Sequence, residues 1–136
     1  AQKAYWQKDS QIGALQSYNS NCPSMMDFTL HDALVEVFSE EESRWDKGVI
    51  KIYDNMVNDF LYPYIDNLLV FAENHDTPRI NEIYPDIEDY KLIMTLIATI
   101  RGIPQLYYGS EIGMKGKKEF GDGDIRRDFP GGWEGD

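Results

Sequence analysis

The sequence has little cysteine, little positive charge and no long hydrophobic segment. Cys22, its one cysteine, has no partner for a disulfide within the chain, and with only two histidines it does not complete a zinc-binding set. Lys and Arg number 13 against 24 Asp and Glu, and the net charge of −11 argues against nucleic acid as a partner. The longest apolar run, residues 68–72, is far shorter than the ~20 residues of a membrane span. No basic segment followed by an apolar one marks a signal peptide.

The rest of the composition is that of a folded, globular chain. Hydrophobic residues make up 42%, and 3 Trp, 9 Tyr and 6 Phe are too many aromatic residues for a disordered segment. A length of 136 residues leaves room for one domain and excludes two. The loop-like composition of the last residues, with no terminating element, leads us to expect that residues 1–136 are a piece of one larger domain.

Hydrophobic periodicity predicts helices that alternate with short buried strands. Residues 1–21 show little periodicity and are predicted to form loop and a short helix. The predicted strands end near residues 27, 71 and 108. Three helices are predicted. The first begins with Thr29 as its N-cap. The second covers residues 49–60 and is closed by Pro63, and the third covers residues 87–101 and stops at Gly102. Because the chain between strands is long enough for helical crossovers, we expect an α/β fold with parallel strands.

The sharpest motif, Phe71-Ala72-Glu73-Asn74-His75-Asp76-Thr77-Pro78-Arg79, directly follows the second predicted strand. Sites of α/β folds lie where strands end. There, an Asp with His beside it and Arg three residues later can hold two sugar hydroxyls while its carboxylate faces developing positive charge, as a glycosidase requires. A His-Asp pair also occurs in metal-dependent phosphohydrolases and at capped helix starts, so both alternatives stay open. The first is disfavoured because the chain has one other histidine.

Two further motifs complete a recognisable set. They are Gly102-Ile103-Pro104-Gln105-Leu106-Tyr107-Tyr108-Gly109-Ser110-Glu111 and Gly121-Asp122-Gly123-Asp124-Ile125-Arg126-Arg127-Asp128-Phe129-Pro130-Gly131-Gly132-Trp133. With the first motif they resemble the later part of the catalytic barrel of the alpha-amylase superfamily. Its seventh strand ends in Phe-x-x-Asn-His-Asp and its eighth reads Gly-Ile-Pro-x-x-Tyr-Tyr-Gly-x-Glu.

The resemblance extends over nearly the whole chain. The segment Met25-Met26-Asp27-Phe28 looks like the sixth strand of that barrel. The stretch Gly-Asp-Gly-Asp-Ile-Arg-Arg is similar to the loop after the eighth strand in neopullulanase- and cyclomaltodextrinase-like members. The resemblance therefore implies an α/β fold that comprises about strands six to eight, with their helices, of a (β/α)8 TIM barrel.

The resemblance also assigns roles to individual residues. Asp76 matches the family's third catalytic carboxylate, which stabilises the transition state, and His75 matches its substrate-binding neighbour. Asp122 and Arg126 repeat the family's Asp-x-x-x-Arg spacing in a loop that reaches distal sugar units, and Arg79 is a further expected substrate contact. The nucleophile and acid/base motifs of the family's retaining mechanism are not found in this sequence. We therefore expect the 136 residues alone to be inactive.

Other polar and aromatic residues have less specific interpretations. Glu111 is expected to orient the barrel rim, and His31 is expected at the surface or as a helix cap. Asp122 and Asp124 lack the further ligands of a calcium loop, so neither a metal nor a cofactor is predicted. Four aromatic residues are candidates for sugar stacking, although a Tyr in a strand is more often part of the core: Trp45, Trp133, Tyr107 and Tyr108.

The sequence thus predicts part of a retaining glycosidase for α-glucosidic bonds in starch, maltodextrin or pullulan. The alternative is a truncated, non-catalytic α/β module that at most binds carbohydrate. Hydrolysis and transglycosylation both stay open, as do a periplasmic and a cytoplasmic location. We also expect self-association, because a three-stranded piece with 68–71 in the middle would leave both outer strands with open edges.

Overall fold

The computed structural model describes residues 3–7, 10–12, 24–37 and 47–132. In these ranges α-helices and short strands alternate after an initial strand pair. The strands are β1 (Lys3–Gln7), β2 (Ser10–Ile12), β3 (Met25–Asp27), β4 (Leu68–Val70) and β5 (Ile103–Pro104). The helices are α1 (Phe28–Glu36), α2 (Ile50–Met56), α3 (Ile80–Ile83), α4 (Ile87–Thr99) and α5 (Asp122–Ile125).

The strands form one sheet in the order β2-β1-β3-β4-β5. β1, β3, β4 and β5 are parallel, and only the β1–β2 pair is antiparallel. Met26 pairs with Leu69, which in turn pairs with Ile103, so the three C-terminal strand ends lie side by side. The predicted α/β class and the central position of β4 between β3 and β5 are confirmed.

Several predicted boundaries were wrong. Residues 3–7 and 10–12 form strands, not loop and a short helix, because pairing with distant β3 outweighs their weak local pattern. This pairing also covers one edge of β3, which was expected to be open. β5 ends at Pro104 instead of Tyr108, and α2 ends at Met56, before a separate 3-10 turn at Asp59–Leu61.

The helix after β3 is capped by Asp27, not by Thr29. The Asp27 Oδ1 atom accepts the Leu30 backbone N–H at 3.0 Å and the Thr29 hydroxyl at 2.8 Å. The Thr29 oxygen in turn accepts a hydrogen bond from the Asn55 side chain of α2 at 2.9 Å. The Thr29 hydroxyl thus joins two helices, because the Asp27 side chain two residues earlier already caps the helix start.

The core lies between one face of the sheet and the helices α1 and α4. Alternate strand residues point to this face, as the period of two requires. Its fully buried members include Met25, Leu68 and Val70 from the strands, Leu30 and Leu34 from α1, and Ile93 and Ile97 from α4. Among the described residues, no helix is long and apolar enough to cross a membrane.

Arg101 links three parts of this layer just before β5. Its Nη1 donates to Asp27 Oδ2 at 2.7 Å, and its Nε and Nη2 bind both carboxylate oxygens of Asp59 at 2.6–2.9 Å. Burial lowers the pKa of Arg101, but the hydrogen bonds and charges of Asp59 and Asp27 outweigh burial and raise it. Arg101 is therefore a permanent cation that compensates the fully buried Asp27 carboxylate.

Replacing Arg101 should destabilise the fold strongly. In Arg101→Gln, Asp27 stays buried without its cation, and breaking a buried pair from one side costs about 3–5 kcal/mol. Urea unfolding of the variant measures this loss. The control is Lys91→Gln, which removes a cation from the exposed Lys91–Glu88 pair and should cost under about 1 kcal/mol. Equal losses in the two variants would contradict a special role for Arg101.

Candidate functional site

The candidate site begins where β4 ends, in the segment from Phe71 to Arg79. Phe71, Ala72, Glu73 and Asn74 directly follow β4 and are buried. The chain then turns outward, and the side chain of Asp76 is 49% exposed beside the exposed His75. The motif thus places an accessible carboxylate at the C-terminal end of the central parallel strand, where α/β folds carry their sites.

The turn that presents Asp76 is fixed by its own polar groups. Asn74 Oδ1 accepts the Asp76 backbone N–H at 2.7 Å. The Thr77 hydroxyl oxygen accepts the Asn74 N–H at 2.9 Å, and the Thr77 N–H reaches the Asn74 carbonyl at 3.4 Å. An Asn side chain that binds the backbone two residues ahead stabilises such turns. The direction of Asp76 is therefore set by Asn74 and Thr77 before any ligand is bound.

A buried ion pair lies beneath this turn. The Glu73 carboxylate accepts Arg79 Nη1 at 3.0 Å, the Ser110 hydroxyl at 2.6 Å and the Ile80 backbone N–H at 2.5 Å. Arg79 Nη1 also donates to the Tyr108 carbonyl at 2.7 Å. Because both charges are almost fully buried, each depends on the other for compensation. The pair joins the segment after β4 to the segment after β5.

Arg79 does not lie with the exposed side chains of the other predicted site residues. Its guanidinium is fully buried and lies 4.0 Å from the centre of the Tyr107 ring and 4.9 Å from that of Tyr108. The expected sugar contact is therefore not available to Arg79 in this position. The physical reason is Glu73, whose buried carboxylate requires a cation beside it.

Tyr90 adds a fixed donor to the same interior. Its hydroxyl donates to the Ser110 carbonyl at 2.5 Å. Burial first, and then the negative charge of Glu73, raise the pKa of Tyr90 to about 12. The phenol therefore keeps its proton and holds the backbone at Ser110, which also carries the hydroxyl bound to Glu73.

The other four predicted site residues meet at the surface in what we name the Arg126 cluster: His75, Asp76, Asp122 and Arg126. Arg126 Nη2 lies 2.9 Å from Asp76 Oδ1 and 2.9 Å from Asp122 Oδ2, and Arg126 Nε donates to the His75 carbonyl at 2.8 Å. His75 Nε2 lies 3.4 Å from Asp76 Oδ2. One guanidinium thus joins the loop after β4 to the loop that carries α5.

The loop that carries Asp122 is held by ion pairs and by its own backbone. Asp122 pairs with Lys118 as well as with Arg126. The hydrogen bond from Lys118, together with the charge of Arg126, lowers the pKa of the Asp122 carboxyl below its ordinary value. Asp124 accepts the Lys117 backbone N–H at 2.6 Å. Asp122 is therefore ionised at neutral pH and is not suited to donate a proton.

Other predicted residues occupy different places. His31 is only 6% exposed and stacks on Phe71 with ring centres 5.2 Å apart, so the prediction of a surface or capping residue was wrong. Its ring fills the space between α1 and the end of β4. Glu111 and Tyr108 are exposed, and the Tyr108 hydroxyl donates to the Arg127 carbonyl at 2.6 Å. Trp45, Trp133 and Cys22 lie outside the described residues.

Sequence reasoning missed Glu73, Ser110 and Arg101 as organising residues. Each is polar and lies in or beside a motif, but its partner is distant in the chain: Ser110 is 37 residues from Glu73, and Arg101 is 74 residues from Asp27. The only local signal is the position of Glu73 directly behind a buried strand. Within the described ranges, no group of three His, Cys, Asp or Glu side chains is arranged to hold a metal ion.

The contact between Arg126 and Asp76 is tested by a double-mutant cycle on the free energy of unfolding. Combining Asp76→Asn with Arg126→Ala should show a coupling of about 0.2–1 kcal/mol, the range of exposed ion pairs. Arg127→Ala is the matched control, because Arg127 binds the carbonyls of Asp124 and Lys115 instead. Its coupling with Asp76→Asn should be zero. A cycle that gives the same value for both arginines contradicts the cluster.

Comparison with known proteins places these features in a family. Residues 5–130 match the family described as "Alpha amylase, catalytic domain". The chain is 30% identical over 117 residues to a maltogenic alpha-amylase of Bacillus acidopullulyticus, covering 85% of this chain and 18% of that protein. It is 32% identical over 100 residues to a cyclomaltodextrinase of Geobacillus thermopakistaniensis, covering 68% and 16%.

Solved structures agree with the sequence relatives. The alpha-amylase of Geobacillus thermoleovorans, in complex with acarbose, matches with a TM-score of 0.64 and 32% identity over 79% of this chain and 24% of that chain. An Anoxybacillus alpha-amylase has the same fold, with a TM-score of 0.68, 24% identity, and coverage of 88% and 26%. The chain thus spans about a quarter or less of the length of these proteins. Since the family match extends over most of the chain, the chain belongs to the alpha-amylase catalytic domain family.

Proposed function

We propose that this chain is part of a retaining glycoside hydrolase that acts on α-glucosidic bonds of starch, maltodextrin or pullulan. The observation that carries the proposal is the exposed Asp76 carboxylate in the turn that follows β4, with His75 beside it. Asn74 holds the Asp76 backbone, and Arg126 holds its carboxylate. A carboxylate held in advance stabilises positive charge that develops only in the transition state, which lowers the reaction barrier.

In this proposal the chain supplies strands six to eight of the barrel as β3, β4 and β5. Consecutive parallel strands of such a barrel are neighbours, and β3, β4 and β5 are neighbours in that order. β1 lies on the other side of β3 and then corresponds to the strand before. The loops after β4 and β5 both contribute to the Arg126 cluster, as active-site loops of a barrel do.

The Arg126 cluster has one carboxylate for charge stabilisation but not the pair that cleaves the bond. A retaining glycosidase needs a nucleophile and a protonated acid about 5–5.5 Å apart. Asp122 does not serve as that acid, because Lys118 and Arg126 lower its pKa. The nucleophile and the acid are therefore assigned to parts of the protein outside these 136 residues, and the chain alone is proposed to be inactive.

Within the cluster, His75 and Asp122 are the proposed sugar-binding groups. His75 is exposed and offers a ring nitrogen to a hydroxyl, while Asp122 offers carboxylate oxygens further along the glucan. Arg126 lies between the Asp76 and Asp122 carboxylates, where its single positive charge is shared by the two, and it is proposed to bind further hydroxyls. Arg79 acts from below by holding the turn through Glu73.

The second candidate is a non-catalytic α/β module that at most binds carbohydrate. The observation that favours it is the absence of a suitable acid within the described cluster. The two candidates differ in the whole protein: the first predicts release of reducing sugar from soluble starch, and the second predicts binding without release.

Asp76→Asn in the whole protein should lower kcat by about two to three orders of magnitude with little change in KM, because the lost charge acts on the transition state. His75→Ala should reduce activity less, since it removes a hydroxyl contact and no charge. The measurement is reducing sugar released from soluble starch and pullulan. The 136-residue chain alone should release none.

The matched control for this variant is Asp66→Asn. Asp66 is an exposed aspartate at the opposite end of the same strand, so it tests the loss of a surface charge without the site. It should leave kcat unchanged. Full activity of Asp76→Asn would remove the catalytic assignment.

The isolated chain is also proposed to self-associate through β5. In the sheet that the structure describes, β5 lies at one end, and Ile103 of β5 and Leu106 just after it are exposed. An unpaired strand edge with apolar side chains favours pairing with another copy. Light scattering should give an apparent mass that rises with concentration. A strictly monomeric species that unfolds cooperatively at every concentration would contradict this.

A further inference from the structure

Arg126 contacts the carboxylate whose negative charge the proposed function needs. Its Nη2 atom lies 2.9 Å from Asp76 Oδ1. A cation in contact with a carboxylate cancels much of the field that the carboxylate exerts on a third charge. Arg126 therefore orients Asp76, but it also weakens the attraction of Asp76 for positive charge on a ligand.

Asp122 draws on the same cation from the other side. Its Oδ2 atom also lies 2.9 Å from Arg126 Nη2, and the two residues are four apart in the chain, across the single turn of α5. With two carboxylates and one guanidinium, the group of Asp76, Arg126 and Asp122 keeps one net negative charge. Without the charge of Asp122, the remaining pair is neutral.

The charge of Asp122 is present at neutral pH. Lys118, in the 3-10 turn just before α5, pairs with its carboxylate. The hydrogen bond from Lys118, followed by the charge of Arg126, holds the pKa of Asp122 below its ordinary value. Asp122 thus opposes Arg126 under the conditions in which Asp76 is proposed to act.

No neighbouring acid replaces Asp122 at Arg126. Asp124 accepts the Lys117 backbone N–H at 2.6 Å and lies 3.7 Å from Arg127. In the part of the chain that the structure describes, the ion pairs of Arg126 are with Asp76 and Asp122.

The guanidinium is anchored beside Asp76 by a bond that does not involve Asp122. Arg126 Nε donates to the His75 carbonyl at 2.8 Å, so loss of the Asp122 charge leaves Arg126 next to Asp76. The three charged side chains are 40–51% exposed, and water screens their interactions. The effect on Asp76 is therefore moderate in size and has a defined direction.

We propose that Asp122 is a positioning residue for the reaction at Asp76: it takes up part of the charge of Arg126, so that Arg126 orients the Asp76 carboxylate without cancelling its negative charge. The inference rests on the proposed function and gives Asp122 an action on the reaction barrier in addition to a sugar contact. An effect on the barrier changes kcat, whereas a contact made equally in ground and transition states changes KM.

The experiment measures reducing sugar released from soluble starch by the whole protein. Asp122→Asn should lower kcat about two- to fivefold, because Arg126 then cancels the Asp76 charge. Asp122→Glu keeps the charge and should retain most of the wild-type kcat. A sugar contact alone predicts a higher KM at unchanged kcat.

Arg126→Gln provides the decisive background. Without the cation, Asp122 has no charge to draw away from Asp76, so adding Asp122→Asn to Arg126→Gln should leave kcat unchanged. Asp122→Ser, a second neutral replacement, should give the same result in both backgrounds. A purely structural role of Asp122 predicts an equal loss with and without Arg126.

The matched control is Glu119→Gln, because Glu119 is an exposed acid of the same loop that pairs with Lys117. It should leave kcat unchanged, and a loss equal to that of Asp122→Asn overturns the proposal. Unchanged kcat in Asp122→Asn also overturns it, as do an equal loss with and without Arg126 and neutral Asp122 variants that do not fold. A wild-type protein that releases no sugar overturns the proposed function itself, and this role with it.

Discussion

The buried carboxylate of Glu73 is the interaction on which the site geometry depends. It lies where β4 ends, and it binds Arg79, Ser110 and the start of α3 at once. A charge in this position is costly unless every oxygen is compensated, so the three donors must come to it. Their convergence joins the segments after β4 and β5 and fixes the base of the turn that presents Asp76. The buried Glu73–Arg79 pair thus supports the turn that carries the exposed Asp76 carboxylate.

The architecture could be predicted from the sequence because it depends on local patterns. The apolar run from Leu68 to Phe71 predicts a buried strand. The periodic apolar residues of α4 predict a helix. The exposed cluster could also be anticipated, since all five predicted site residues lie in two recognisable motifs and the structure brings four of them together. Neither result required knowledge of distant contacts.

Most of the errors concern residues whose role depends on partners far along the chain. β1 has no clear alternation and forms because β3 offers an edge. Arg79 has the type and spacing of a substrate contact, but the burial of Glu73 decides its orientation. Thr29 is a good helix cap in isolation, yet Asp27 takes that place while also compensating Arg101. For β1 and Arg79, a long-range pairing or charge decides a structure that the local pattern does not show.

Sharing of Arg126 between two loops has a consequence for how this surface can change. Asp76 and Asp122 belong to different βα units, yet they have one guanidinium as a common counter-ion at 2.9 Å from each. Neutralising one carboxylate leaves the cation wholly to the other, so the effects of substitutions at the two positions are not independent. A substitution at Asp122 therefore also changes the electrostatic setting of Asp76. Under the proposed function, a change in sugar contact at Asp122 is then constrained by its effect on the Asp76 carboxylate.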